Sequence, residues 1–209
     1  MFKTAVAILS LAALTACGGF RDDLAKAPKP LGNFLLGHNI VVSKEPQKGP
    51  FSREASNEEW KEAIKQAVDD RLGSQRFDGN AYFHIGTTVQ AYVLAQPGIP
   101  VVYAPQSVLM FTVVFFEDAT QKQLNPEPIQ LTVFEPCCSI PLVGSGLTKS
   151  REQQLEGLAF NAAKAIERVM RENAEWFGGE NEVLPEDDTI IVGNPLDRQA
   201  TANTEETAN

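Results

Sequence analysis

Ser107-Val-Leu-Met-Phe-Thr-Val-Val-Phe-Phe-Glu117 is the stretch on which the fold turns. It is short, bounded by polar residues and rich in β-branched and aromatic side chains, which reads as a strand. Successive side chains of a strand point to opposite faces. Leu109, Phe111, Val113 and Phe115 therefore share one face, and Val108, Met110, Val114 and Phe116 share the other, with only Thr112 interrupting the second set. Such a strand needs apolar cover on both sides, unlike an ordinary half-wet antiparallel strand.

The neighbouring segments supply the rest of the sheet. Tyr82 to Ala95 is a second long strand, with Phe83, Ile85, Val89, Ala91 and Val93 expected on one face and Tyr82, His84, Thr88, Gln90 and Tyr92 on the other. Ile129 to Glu135 follows a polar connection at 118–125, and Asn39 to Ser43 forms a short first strand stopped by Pro46. Two helices complete the pattern. Ser56 with Glu59 is a capping box, followed by Trp60, Ile64, Ala67, Val68 and Leu72 and stopped at Gly73. Ser150 with Gln153 opens the other, expected to run to Phe177 with a stripe of Leu155, Leu158, Ala162, Ile166, Val169, Asn173 and Trp176.

The expected fold is α+β, a two-layer sandwich of a four-stranded mixed sheet with two helices in the order β-α-β-β-β-α. Two helices cover only one face of such a sheet. Cover for the second face of the central strand must come from a partner protein, a lipid, a second copy, or the chain's own segments 97–106 or 183–196. Val108, Met110, Val114 and Phe116 are therefore the candidate partner surface.

Charge excludes one class of partner. The 209 residues hold 18 Lys+Arg against 27 Asp+Glu, a formal net charge of −9. Eight of the acids, but only Arg198 among the bases, fall in 178–209, a composition typical of disorder. Without a basic surface, no nucleic-acid partner is expected. Within the acidic tail, Thr189-Ile-Ile-Val-Gly193 is a β-type island suited to a free sheet edge.

The N-terminus gives the address. Residues 1–17 read MFKTAVAILSLAALTAC, with Lys3 ahead of an apolar run too short to span a bilayer. Leu14-Thr15-Ala16-Cys17 resembles the lipobox of bacterial lipoproteins. The resemblance implies cleavage before Cys17, acylation of that cysteine and anchoring to a membrane without crossing it. Gly18 directly after it favours the outer membrane over the inner by the same resemblance. The expected organisation is a signal peptide at 1–16, an acylated tether at 17–32, an α+β domain at 33–177 and a mostly disordered acidic tail at 178–209. Fully extended, the tether reaches at most about 50 Å. Behind the lipobox, the element order is similar to the lipopolysaccharide-assembly lipoprotein and to auxiliary lipoproteins of ABC transport systems. That similarity lies in architecture and address and transfers no residue role.

Candidate chemistry is sparse. Gly144-Ser-Gly-Leu-Thr-Lys149-Ser150 precedes a helix but lacks the glycine–lysine spacing of a phosphate loop. His84 has no partner in sequence, and the acidic pairs Glu117-Asp118 and Asp187-Asp188 lack the spacing of a calcium loop. Cys137 and Cys138 are adjacent, open to reading as inert thiols, a strained vicinal disulfide, an intermolecular bond or a redox pair. The sequence thus predicts a non-catalytic, membrane-anchored envelope lipoprotein that binds or scaffolds another envelope component, without metal or cofactor. The alternatives are a lipid or ligand carrier and a periplasmic enzyme using His84 or the cysteine pair.

Overall fold

The computed structural model describes residues 24–97, 106–135 and 149–193. β1 spans Phe34–Lys48, α1 Asn57–Leu72, β2 Ala81–Val93, β3 Val108–Glu117, β4 Lys122–Gln123, β5 Ile129–Phe134, α2 Arg151–Glu172 and β6 Ile190–Val192, with a 3-10 turn at Ala174–Phe177. The sheet runs β1-β2-β3-β5-β6, with β4 pairing β3. β1 and β2 are parallel, and the other pairs are antiparallel. The α+β class matches the sequence reading, but among the described residues the sheet has six strands rather than four. The two additions, β4 and β6, are too short to carry a period.

Both helices start where their capping boxes place them. Glu59 and Gln153 donate their backbone N–H to Ser56 Oγ and Ser150 Oγ, both at 3.2 Å. In return the two serine N–H groups donate to Glu59 Oε2 at 2.7 Å and Gln153 Oε1 at 2.9 Å. Arg151 reaches Glu59 Oε1 at 2.6 Å and so ties the two N-termini together. That hydrogen bond, with the Ser56 backbone, holds the Glu59 carboxyl down at about 2.

α2 ends at Glu172, earlier than the spacing predicts, and passes into the 3-10 turn that delivers Phe177 to the core. Gly178 closes the turn in the left-handed conformation, φ 74°. Phe177 meets Phe34, Phe83 and Phe115 edge-on, with centroids 5.5, 5.0 and 6.0 Å apart. Of the expected stripe, Leu155, Leu158, Ala162, Ile166 and Val169 are buried, whereas Asn173 and Trp176 fall beyond the helix and are half-buried. Ala159, Ala163 and Ala165 on its other sides are buried too. α2 is enclosed because the sheet, α1 and the chain after Gly178 each cover part of it.

Three expectations are corrected. β1 is far longer than Asn39–Ser43 and contains Pro46. As an edge strand it tolerates a residue without an N–H on its solvent side. Register shifts between Leu36 and Asn39 and between Ser43 and Gln47 absorb the misfits, and Glu45 takes φ 51°.

The face assignment of β2 fails at its end. Gln90 is an extra residue between the pairs Val89–Phe111 and Ala91–Met110. This bulge exchanges the faces, so Tyr92, expected on the wet side, is 4% exposed in the core. Its hydroxyl donates to Ala55 O at 3.1 Å and accepts the Ala55 N–H at 3.2 Å.

The domain also outruns both expected boundaries. Before 33, Leu31 is buried, and Arg76 donates to Leu24 O and Lys26 O. After 177, acids dock on the cations of α2: Glu182 on Arg171 at 2.9 Å and Asp187 on Lys164 at 2.7 Å. Arg168 donates to Leu184 O and Pro185 O. The island foreseen at 189–193 then joins β5 as β6.

Candidate functional site

Helices α1 and α2 pack on one another and on the same side of the sheet. Leu109, Phe111, Val113 and Phe115 face them with no exposure. Among the described residues, no helix or strand lies over the opposite face. Val108, Met110, Val114 and Phe116 all point that way and are half-buried. The sequence therefore assigned the two faces of β3 correctly.

The pairing registers extend this surface across the sheet. Ile40 on β1, Gly86 on β2 and Val114 on β3 form one row, and Val42, Thr88 and Thr112 form the next. Gly86 brings no side chain, and a Cβ there would lie 2.9 Å from Val114 Cγ2, so Val114 leans over the glycine. Ile40 is 58% exposed, Val42 44% and Tyr82 54%. Apolar exposure thus peaks at the β1 edge, away from the β3 residues singled out by sequence. Ile40 and Val42 were missed because a strand read as five residues gives too short a period to assign a face.

Phe116 lies opposite His84. His84 Nδ1 accepts the His38 backbone N–H at 2.9 Å, and Nε2 lies 3.0 Å from Asp118 Oδ1. A backbone N–H can only donate, so Nδ1 carries the lone pair and Nε2 donates its hydrogen to Asp118. The His38 ring sits 4.8 Å from the His84 ring, and Gly37 makes room for His84, since a Cβ there would lie 2.5 Å from its Nδ1. Both nitrogens are engaged, which leaves no lone pair to take a proton from a substrate. Sequence spacing could not supply Asp118, because the β2–β3 register brings it there.

The remaining candidates disperse. Glu117 accepts from Thr120 Oγ1 at 2.6 Å, away from the role of a cation ligand. Asp187 is tied to Lys164 and Thr189. Burial pushes its carboxyl up, but the hydrogen bonds from Lys164 and Thr189 prevail and hold it at about 2. Lys149 forms a 2.7 Å ion pair with buried Glu135, across the two ends of positions 136–148. It is therefore committed within the fold rather than poised for a phosphate. Cys17, Cys137 and Cys138 lie outside the described residues. Among the described residues, no group of His, Cys, Asp and Glu has the arrangement to hold a metal ion. In that same set, no helix is long and apolar enough to cross a membrane.

A cleft of about 270 Å³ opens between the helices and the docked segment, with Arg71, Lys164, Arg168 and Arg171 in its wall. Its cations are matched internally. Glu167 bridges Arg71 at 2.8 Å and Arg171 at 2.7 Å, and Glu172 holds Arg168 at 2.8 Å. The cleft is a neutralised seam between elements, so the open sheet face is the stronger candidate.

No family model matches the chain, and no curated protein matches it. Several solved structures are similar in part. A candidate lipoprotein from Caulobacter crescentus is 14% identical with a TM-score of 0.36, covering 69% of this chain and 93% of that one. A Xanthomonas campestris protein of the DUF330 family is 10% identical with a TM-score of 0.38, covering 72% and 93%. A minor lipoprotein from Acinetobacter baumannii is 16% identical with a TM-score of 0.28, covering 68% and 93%.

Proposed function

We propose that this protein is a non-catalytic lipoprotein of the bacterial cell envelope. Cys17 anchors it, the domain faces the periplasm, and the open face of the sheet binds another envelope component. The observation that carries the reading is the patch of Ile40, Val114 and Phe116 on the open face, opposite Leu109, Phe111, Val113 and Phe115, which the helices bury. Apolar side chains clustered on an uncovered sheet face have a tendency to associate. The engagement of both His84 nitrogens supports the non-catalytic part. The lipobox supports the anchor, and Gly18 after Cys17 supports the outer membrane. A lipoprotein carrying more than one acyl chain is held firmly, because each buried methylene contributes about 0.8 kcal/mol.

The test is a photo-reactive residue placed at Met110 or Val114 of the full chain in living cells, with Glu62 on exposed α1 surface as control. A defined adduct from the sheet positions and none from Glu62 supports the reading, and its mass separates an envelope protein from a lipid. Equal labelling at all three positions, or none at Met110 and Val114, overturns it.

A further inference from the structure

β1 closes one side of the strand order, so its outer edge pairs with no strand among the described residues. A free edge offers unpaired N–H and C=O groups, and natural sheets blunt such edges with charge, proline and bulges. Here charge and proline blunt only one half. Lys44, Glu45, Pro46 and Lys48 and the second register shift all fall after Ser43. From Asn33 to Ser43 there is no Asp, Glu, Lys or Arg. Within this half, Asn39–Ser43 pairs regularly with β2, residue by residue, between the two irregularities. It also carries Ile40 and Val42, among the most exposed large apolar side chains described. β6, at the opposite side, offers only three residues.

We infer that this protein self-associates through β1, with Asn39–Ser43 of two copies pairing antiparallel about a two-fold axis at Val41. The occupant is a second copy because the segment is complementary to itself. With the axis at Val41, Ile40 of one copy stands opposite Val42 of the other, twice, on the open face. Asn39 stands opposite Ser43, both polar and both bonded to α1 of their own chain, Asn39 to Lys65 O and Asp69 and Ser43 to Asn57. Beyond them Lys44 meets His38 and Glu45 meets Gly37, so no like charges are opposed. Directly opposed side chains on an antiparallel pair have Cβ atoms about 4.5–5.5 Å apart, close enough for each Ile–Val pair to exclude water. The antiparallel arrangement is isologous and closes at two copies, whereas parallel pairing of identical edges would not. The pairing segment shares Ile40 with the proposed docking face, and the crosslink reads the copy-to-copy contact at β1 separately from whatever Met110 and Val114 bind.

The test uses the full chain with Cys137 and Cys138 changed to Ser. Carrying Ile40→Cys together with Val42→Cys, it is treated in membranes with a short thiol–thiol crosslinker. The expected product has the mass of two chains, and the same chain without the added cysteines gives none. In detergent solution the parent should sediment as two chains, and Val42→Lys should sediment as one with an unchanged melting temperature. A parent that sediments as a single chain, or as two chains without the 40–42 crosslink, overturns the inference. So does a crosslink from these cysteines to a different protein. If Val42→Lys unfolds, the crosslink alone decides.

Discussion

Phe115 and Phe116 are chemically identical neighbours with opposite surroundings, and truncating each in turn tests the two-faced reading of β3. Phe115 has no exposure and touches Phe177 and Trp176 at centroid distances of 6.0 and 5.9 Å. Phe115→Ala removes that burial and leaves a cavity the helices cannot fill, a loss of about 4 kcal/mol. In a domain of this size each kcal/mol lowers the melting temperature by roughly 2–4 °C, so a fall of about 8–16 °C is expected. Phe116 is half-buried beside His84. Its truncation forfeits only part of a transfer free energy of about 1.5–3 kcal/mol, so about 1 kcal/mol is lost. The expected fall is about 2–4 °C. Melting of the full-length variants in detergent, followed by circular dichroism in the helix band, reads both directly. Equal shifts, or a larger one for Phe116, would refute the reasoning, because the open face would then be sealed by the chain itself and unfit for docking.

The other predictions rest on single contacts. Ile166 is fully buried on α2, and Ile166→Asp would bury an unpaired charge, so the variant should lose its cooperative thermal transition. At Gly32, φ is 53° and a Cβ would lie 2.2 Å from Phe177 O, so Gly32→Ala should release residues before β1 to protease faster than in the parent. Asp187 sits at about 2, below its ordinary 3.8, so its ion pair stabilises the fold above that ordinary value, and the contribution is lost as pH falls through about 2. Asp187→Asn should cost about 1 kcal/mol at neutral pH, after allowance for its solvent-facing side, and the gap from the parent should close in acid. Denaturant titrations at both pH values measure it.

Local chemistry made the helices legible. Each capping box lies within four residues of sequence, and the serine and its Glu or Gln meet wherever the chain turns helical. The two faces of β3 were equally readable, since period 2 is a property of the strand itself. The β-type island at 189–193 and the lipobox are likewise local patterns.

Elsewhere the partner decided. β1 extends through Gly37 and past Pro46 because β2 lies alongside to pair it, which no propensity around those residues foretells. One extra residue, Gln90, turns Tyr92 into the core, and that bulge exists only relative to β3. Residues 182–187 read as a solvated tail until α2 presents Arg171 to Glu182, Lys164 to Asp187 and Arg168 to the carbonyls of Leu184 and Pro185. His84 acquires Asp118 only through the register of two strands whose residues are far apart in sequence. Backbone capping and side-chain alternation are set within a few residues, so the sequence alone fixed them. Register, bulges and ion pairs between elements are set by what packs opposite, and only the tertiary structure could place them.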